Sequence, residues 1–250
     1  MAKQILLDGK VLEGTDMYGE WGVHTFEGWW DSPDVKTEQI ERPGADGDFD
    51  SPVYYQARYP TLTGIFIANS EALMFEGMNR FSGLLRQRGR LQVVGYGVPQ
   101  WADVKRASGL VITPQTDRVC LWQARVKAPD SRKYGKSQDF VRTNGVVSVF
   151  HRGNYDAKPT VVVRGSAPGG YRLNGPGGKQ YKVTRALVTG IPHRIEFNDG
   201  RLRVDGNLVS TGVDSADVWP VPPGQNVDFD INVNSGGTAE ATITITDTYI

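Results

Sequence analysis

The segment Val227-Asp228-Phe229-Asp230-Ile231-Asn232-Val233 alternates apolar and polar residues without a break. After Ser235-Gly236-Gly237 the same alternation resumes as Ala239-Glu240-Ala241-Thr242-Ile243-Thr244-Ile245-Thr246. A period of two is that of a β-strand, so one face of each segment belongs to a core and the other to water. The glycine pair reads as the turn of a terminal β-hairpin. Working backwards, Ile195 and Phe197, the Asp199-Gly200 turn, then Leu202 and Val204 form another hairpin, because Asp-Gly readily adopts the positive φ of a tight turn. Residues 146–150 and 160–164 are apolar runs of strand length. Short strands repeated at this spacing predict an antiparallel β-sandwich over residues 139–250.

Upstream the pattern is mixed. Residues 5–11, 53–59, 61–68, 90–94, 101–106 and 118–126 read as strands, rich in β-branched and aromatic residues. Residues 21–30 are rich in Gly and Trp, and 41–52 form a long turn-rich loop. One helix is expected over 69–88. Asn69 or Ser70 is placed to cap it, Glu71 to favour its dipole, and Gly89 to stop it with a left-handed residue. Met74, Met78, Phe81 and Leu85 lie along one apolar stripe of that helix. Residues 128–138 are polar and aperiodic and read as a linker. The expected fold is therefore mainly β with one substantial helix: a barrel-like, sheet-plus-helix domain over 1–127, then the sandwich.

The 250 residues carry 28 basic and 28 acidic side chains, which argues against wholesale attraction to nucleic acid or an anionic membrane. A local basic set, Arg80, Arg86, Arg88 and Arg90, is the one nucleic-acid candidate, and dipole complementarity at a helix end accounts for it more cheaply. No apolar run is long enough for a signal peptide or a membrane span, so synthesis and folding in a cytoplasm are expected. Cys120 is the only cysteine. It falls in an alternating strand, which excludes an internal disulfide and favours a buried thiol over a nucleophile.

Catalytic and cofactor motifs are weak. Asp46, Asp48 and Asp50 alternate like the start of a calcium loop, but Ser51 replaces its glycine and Ala57 stands where a bidentate Glu is needed. Gly175-Pro176-Gly177-Gly178-Lys179 resembles a phosphate loop, but the residues after it read as strand rather than helix. His24, His151 and His193 show no metal-ligand spacing. The expectation is no enzyme, no metal and no cofactor.

Two passages resemble the distal tail proteins of long-tailed bacteriophages. One is Arg42-Pro43-Gly44-Ala45-Asp46-Gly47, followed by the strand with Arg58 and then Gly64. The other starts at Gly153-Asn154-Tyr155-Asp156-Ala157-Lys158-Pro159 and closes with Pro222-Pro223-Gly224-Gln225-Asn226 and Asp247-Thr248-Tyr249. The second passage is similar to the galectin-like sandwich of these tail proteins. The resemblance implies a structural protein of the virion tail tip, made in the bacterial host. It implies a homohexameric ring joining tail tube protein to tail hub protein, with an attachment point for tail fibre or receptor-binding proteins. No membrane and no specific nucleic acid enter that role. The candidate interface loop is Arg42, Gly44, Asp46, Gly47, Asp48 and Asp50; the alternative for this loop is a mobile surface turn. The rival function is a carbohydrate-binding module for host-surface recognition, with Trp219 and Tyr171 as its aromatic platform. Against it, His151-Arg152-Gly153-Asn154 lacks the His-x-Asn-x-Arg spacing of true galectins.

Overall fold

In the computed structural model, which describes residues 3–36, 41–44, 46, 49–50 and 52–250, the chain divides into two units, one ending at Lys133 and the other running from Tyr134 to Tyr249. Strands of the first unit are β1 (Gln4–Leu7), β2 (Lys10–Thr15), β3 (Gly19–Glu27), β4 (Val35–Lys36), β5 (Tyr54–Tyr55) and β6 (Thr61–Ala68). Helix α1 (Glu71–Ser82) follows, then β7 (Gly89–Val94), β8 (Gln100–Arg106), β9 (Val111–Pro114) and β10 (Val119–Lys127). The main sheet runs β8-β7-β1-β2-β3-β6-β10-β9, and the end of β10 pairs back onto β8 through Val126↔Arg106 and Lys127↔Lys105. The sheet thus folds back on itself, barrel-like, with α1 packed on it.

The interior follows the strand period. Ile5, Leu7, Leu62, Phe66, Cys120, Trp122 and Ala124 are all buried. Trp21 stacks on Phe66 with ring centroids 4.0 Å apart, and Phe81 brings the helix onto the same stack. Close approach fixes Gly64: a Cβ there would lie 2.1 Å from the Gly22 carbonyl oxygen and 2.4 Å from the Trp122 ring.

The helix is shorter than its stripe. Ser70 caps it, accepting from the Leu73 amide at 3.3 Å, and the Gly83 amide closes it on Asn79 O. Leu85 is buried although it lies outside the helix: it adopts a left-handed φ of 52° that returns it to the core. Gly89 is not the stop. It opens β7, where a Cβ would come within 2.6 Å of the Asp8 carboxylate. Arg86 and Arg88 therefore sit past the helix end, outside its last turn.

The second unit contains β11 (Lys133–Thr143) from Tyr134 onward, β12 (Gly145–Val149), β13 (Thr160–Ser166), β14 (Tyr171–Asn174), β15 (Gln180–Val183) and β16 (His193–Glu196). It continues with β17 (Arg201–Val204), β18 (Asn207–Val209), β19 (Val213–Ala216), β20 (Val227–Val233) and β21 (Thr238–Tyr249). Two sheets form, β18-β17-β16-β13-β21-β11 and β12-β20-β14-β15-β19. Their inner faces enclose Tyr171, Tyr181, Phe197, Trp219, Phe229, Ile243 and Ile245.

Two sequence expectations change here. Residues 133–138, read as linker, belong to β11. β20 and β21 expose the expected faces but do not pair as a hairpin; each lies in a different sheet. Gly236 and Gly237, at φ 56° and 94°, carry the chain from one sheet to the other. The β16–β17 hairpin is present as read, with Glu196 opposite Arg201.

Candidate assembly surface

Between β3 and β6 the first unit sends out a ribbon built on β4 and β5, which form a two-stranded sheet of their own among the described residues, Val35↔Tyr55 and Lys36↔Tyr54. The Gln56 amide and side chain extend this pairing to Asp34 O and Val35 O. Among the described residues of this arm, Arg42, Gly44, Asp46 and Asp50 are exposed, and so are Val35, Phe49, Val53 and Tyr54. Gly44 takes a φ of 77°, so a turn that disfavours any Cβ defines part of the tip. The Arg42 guanidinium lies 5.6 Å from the Phe49 ring centroid. Gly47 and Asp48, also read as interface residues, lie outside the described residues. Val35, Phe49, Val53 and Tyr54 thus leave apolar area exposed on this ribbon, and exposed apolar patches are candidate contact surfaces.

The root of this arm is bolted down. Arg58, only 3% exposed, donates from Nη1 to Gly28 O, Trp29 O and Asp31 O at 3.1, 3.1 and 2.5 Å. Its Nε donates to Ser131 O at 3.2 Å, and its backbone pairs with Ala128. Lys133, 4% exposed, donates from Nζ to Trp29 O at 2.9 Å. Two enclosed cations thus engage the Gly28, Trp29 and Asp31 carbonyls of the segment entering the arm. Burial holds the Arg58 pKa below its usual value, with Asp31 opposing. Burial, reinforced by the Arg58 charge and opposed by Asp31, pulls Lys133 down to about 8. Arg58 was legible only as a strand residue, and Lys133 only as part of an aperiodic stretch; nothing local in sequence announces that they converge.

The other site candidates separate. Tyr171 and Trp219 are 0% and 1% exposed, so neither offers a stacking face, and the proposed sugar platform is lost. Trp219 is wedged under Gly175, where a Cβ would come within 2.3 Å of the indole. His151 is buried; its Nδ1 accepts from the Gly153 amide, so its Nε2–H donates to Val221 O at 3.0 Å. Gly153 permits this, since a Cβ would lie 1.9 Å from Thr248 O. The glycine-asparagine motif is therefore a packing device. Cys120 is buried, and burial raises its thiol pKa. Among the described residues no three His, Cys, Asp or Glu side chains are grouped to hold a metal, and no helix is long and apolar enough to cross a membrane.

Among solved structures, the chain is similar to the Dit protein (gp 19.1) of phage SPP1, described as a paradigm of the hub adsorption apparatus of phages infecting Gram-positive bacteria. The two superpose with a TM-score of 0.77 over 100% of both chains, at 15% identity. The fold is that of a Dit-type distal tail protein. A chain of the phage P2 baseplate, in its activated conformation with Ca, matches with a TM-score of 0.48, 10% identity and 98% coverage of both chains. No protein-family model matches the sequence, and no curated protein sequence does.

Proposed function

We propose that this protein is a structural adaptor of a phage tail tip, located in the virion, in which six copies close a ring between tail tube and tail hub. The second unit is then free to carry fibres or receptor-binding proteins. The observation that carries this reading is the likeness to SPP1 Dit along the whole of both chains, across both units and not one alone. The anchored arm supports it. Closed rings are built from heterologous contacts repeated about an axis, and an arm with an exposed apolar ribbon is suited to one half of such a contact.

Electron microscopy of the purified full-length protein, alone and mixed with a tail tube protein and a hub protein, tests the reading. Rings with a central hole are expected in one of these preparations. A protein that remains monomeric in all of them, by imaging and by sedimentation, is not a ring-forming adaptor.

A further inference from the structure

The balanced net charge conceals a strong asymmetry within the first unit. Residues 31–57, the arm and its approaches, hold seven acidic side chains against two basic, a net charge of −5. Residues 80–106 hold six basic side chains against one acidic, a net charge of +5. The second set is organised in space. Leu85, Arg86, Gln87, Arg88, Lys105 and Arg106 line, with Pro129, a cleft of about 510 Å³ just past the end of α1.

Some of these cations are already committed. Arg106 donates from Nε to Leu84 O and from Nη2 to Ser82 O, both at 2.7 Å, satisfying carbonyls at the helix end. Arg88 and Arg90 share Asp103, each at 3.3 Å. Arg86 and Lys105 are exposed and have no anionic partner among the described residues. The helix dipole does not account for them. Arg86 lies beyond the last turn, and Lys105 comes from β8. Dipole effects fall off within the last turn of a helix.

On the arm four described carboxylates are likewise without a cation. Asp34, Glu41, Asp46 and Asp50 are exposed, and none forms an ion pair with a described residue. A fold that holds an arm with four unpaired carboxylates and a basic cleft with two unpaired cations, Arg86 and Lys105, carries the two complementary halves of a heterologous contact.

We infer that the acidic arm of one copy docks in the cleft formed by Arg86, Arg88, Lys105 and Arg106 of the next copy. This rests on the ring reading above and adds to it the surface that receives the arm. Opposite charge steers the encounter and fixes which face meets which, while Val35, Phe49, Val53 and Tyr54 supply the apolar area beside it.

The test uses the full chain in three variants: D46K/D50K, R86E/K105E, and the two pairs combined. Assembly is read by native mass spectrometry and sedimentation across a protein dilution series at low and high NaCl. Each reversal alone is expected to raise the midpoint concentration for assembly on the order of tenfold or more, since opposed like charges are costly at an interface. The combined variant is expected to recover assembly, which a merely misfolded chain would not do. High salt is expected to weaken the native contact and narrow the differences. If rings form and neither reversal affects them, the arm does not use this cleft, and the ring reading stands without it. If rings persist in R86E/K105E while binding of a single-stranded oligonucleotide is lost, the cleft faces nucleic acid and the inference is overturned. A native chain that never assembles removes the ring and this contact together.

Discussion

His193 lies at 1% exposure in the second unit, its Nδ1 3.3 Å from the Tyr171 hydroxyl. Burial, with a smaller contribution from Arg185, lowers its pKa from 6.5 to about 4. A histidine whose folded pKa is depressed stays neutral in the core while the unfolded chain takes up its proton. Its contribution is therefore present above pH 6.5 and is lost as pH falls from 6.5 towards 4. Full loss amounts to ~3 kcal/mol at most. Thermal unfolding from pH 7.5 to 4.5 is expected to show this acid-side decline, with a shallower slope in His193→Gln; parallel slopes would refute the assignment. Phe229 lies in the apolar core of the same unit. It is fully buried against Trp219 and Phe197, with ring centroids 5.2 and 5.9 Å away. Phe229→Ala is expected to cost about 3–5 kcal/mol. Asp230, on the opposite face, accepts from Asn174 and Asn232 at 3.1 and 2.7 Å, so its removal costs more than a bare solvent position does. Urea denaturation should still rank Phe229→Ala well above Asp230→Ala, and equal losses would mean that the faces are misassigned.

At the scale of elements, what the sequence revealed and what it hid divide along physical lines. Alternation reports which face is buried, because side chains leave a strand on opposite sides. Phe229, Ile231, Ile243 and Ile245 are buried as their period requires. Alternation does not report the partner strand, and so β20 and β21 looked like a hairpin although they belong to different sheets. The helix stripe misled in a related way. Leu85 continues the spacing of Met74, Met78 and Phe81, but a left-handed turn rather than a further helical turn brings it inward. Aromatics flanked by turn residues looked exposed; Trp219 and Tyr171 are core, because large apolar area is best hidden wherever the sandwich leaves room. Candidate surface residues were easier to find than the groups that position them. The arm's Arg42 and Asp46 are where a turn-rich stretch should put them, whereas Arg58 and Lys133 meet at Trp29 from positions 75 residues apart in the chain, a convergence that no local spacing encodes.

For the whole molecule, each unit encloses its own apolar cluster. The corresponding expectation is that residues 134–250, expressed alone, fold with a single cooperative transition in circular dichroism. A fragment beginning at residue 139 removes the first half of β11 and should melt lower. Equal melting of the two would show that this strand adds nothing to the sandwich. The division of β20 and β21 between the sheets also bears on biosynthesis. β20 stands between β12 and β14, and β21 between β13 and β11, so each sheet has a gap in its middle until these two strands arrive. They are the last of the unit to leave the ribosome, and neither layer can be completed from earlier segments. The first unit, whose strands all lie upstream, is free to mature during translation. The second must wait with its strand edges open until β21 has emerged and docked, and open edges of this kind are prone to aggregate in that interval.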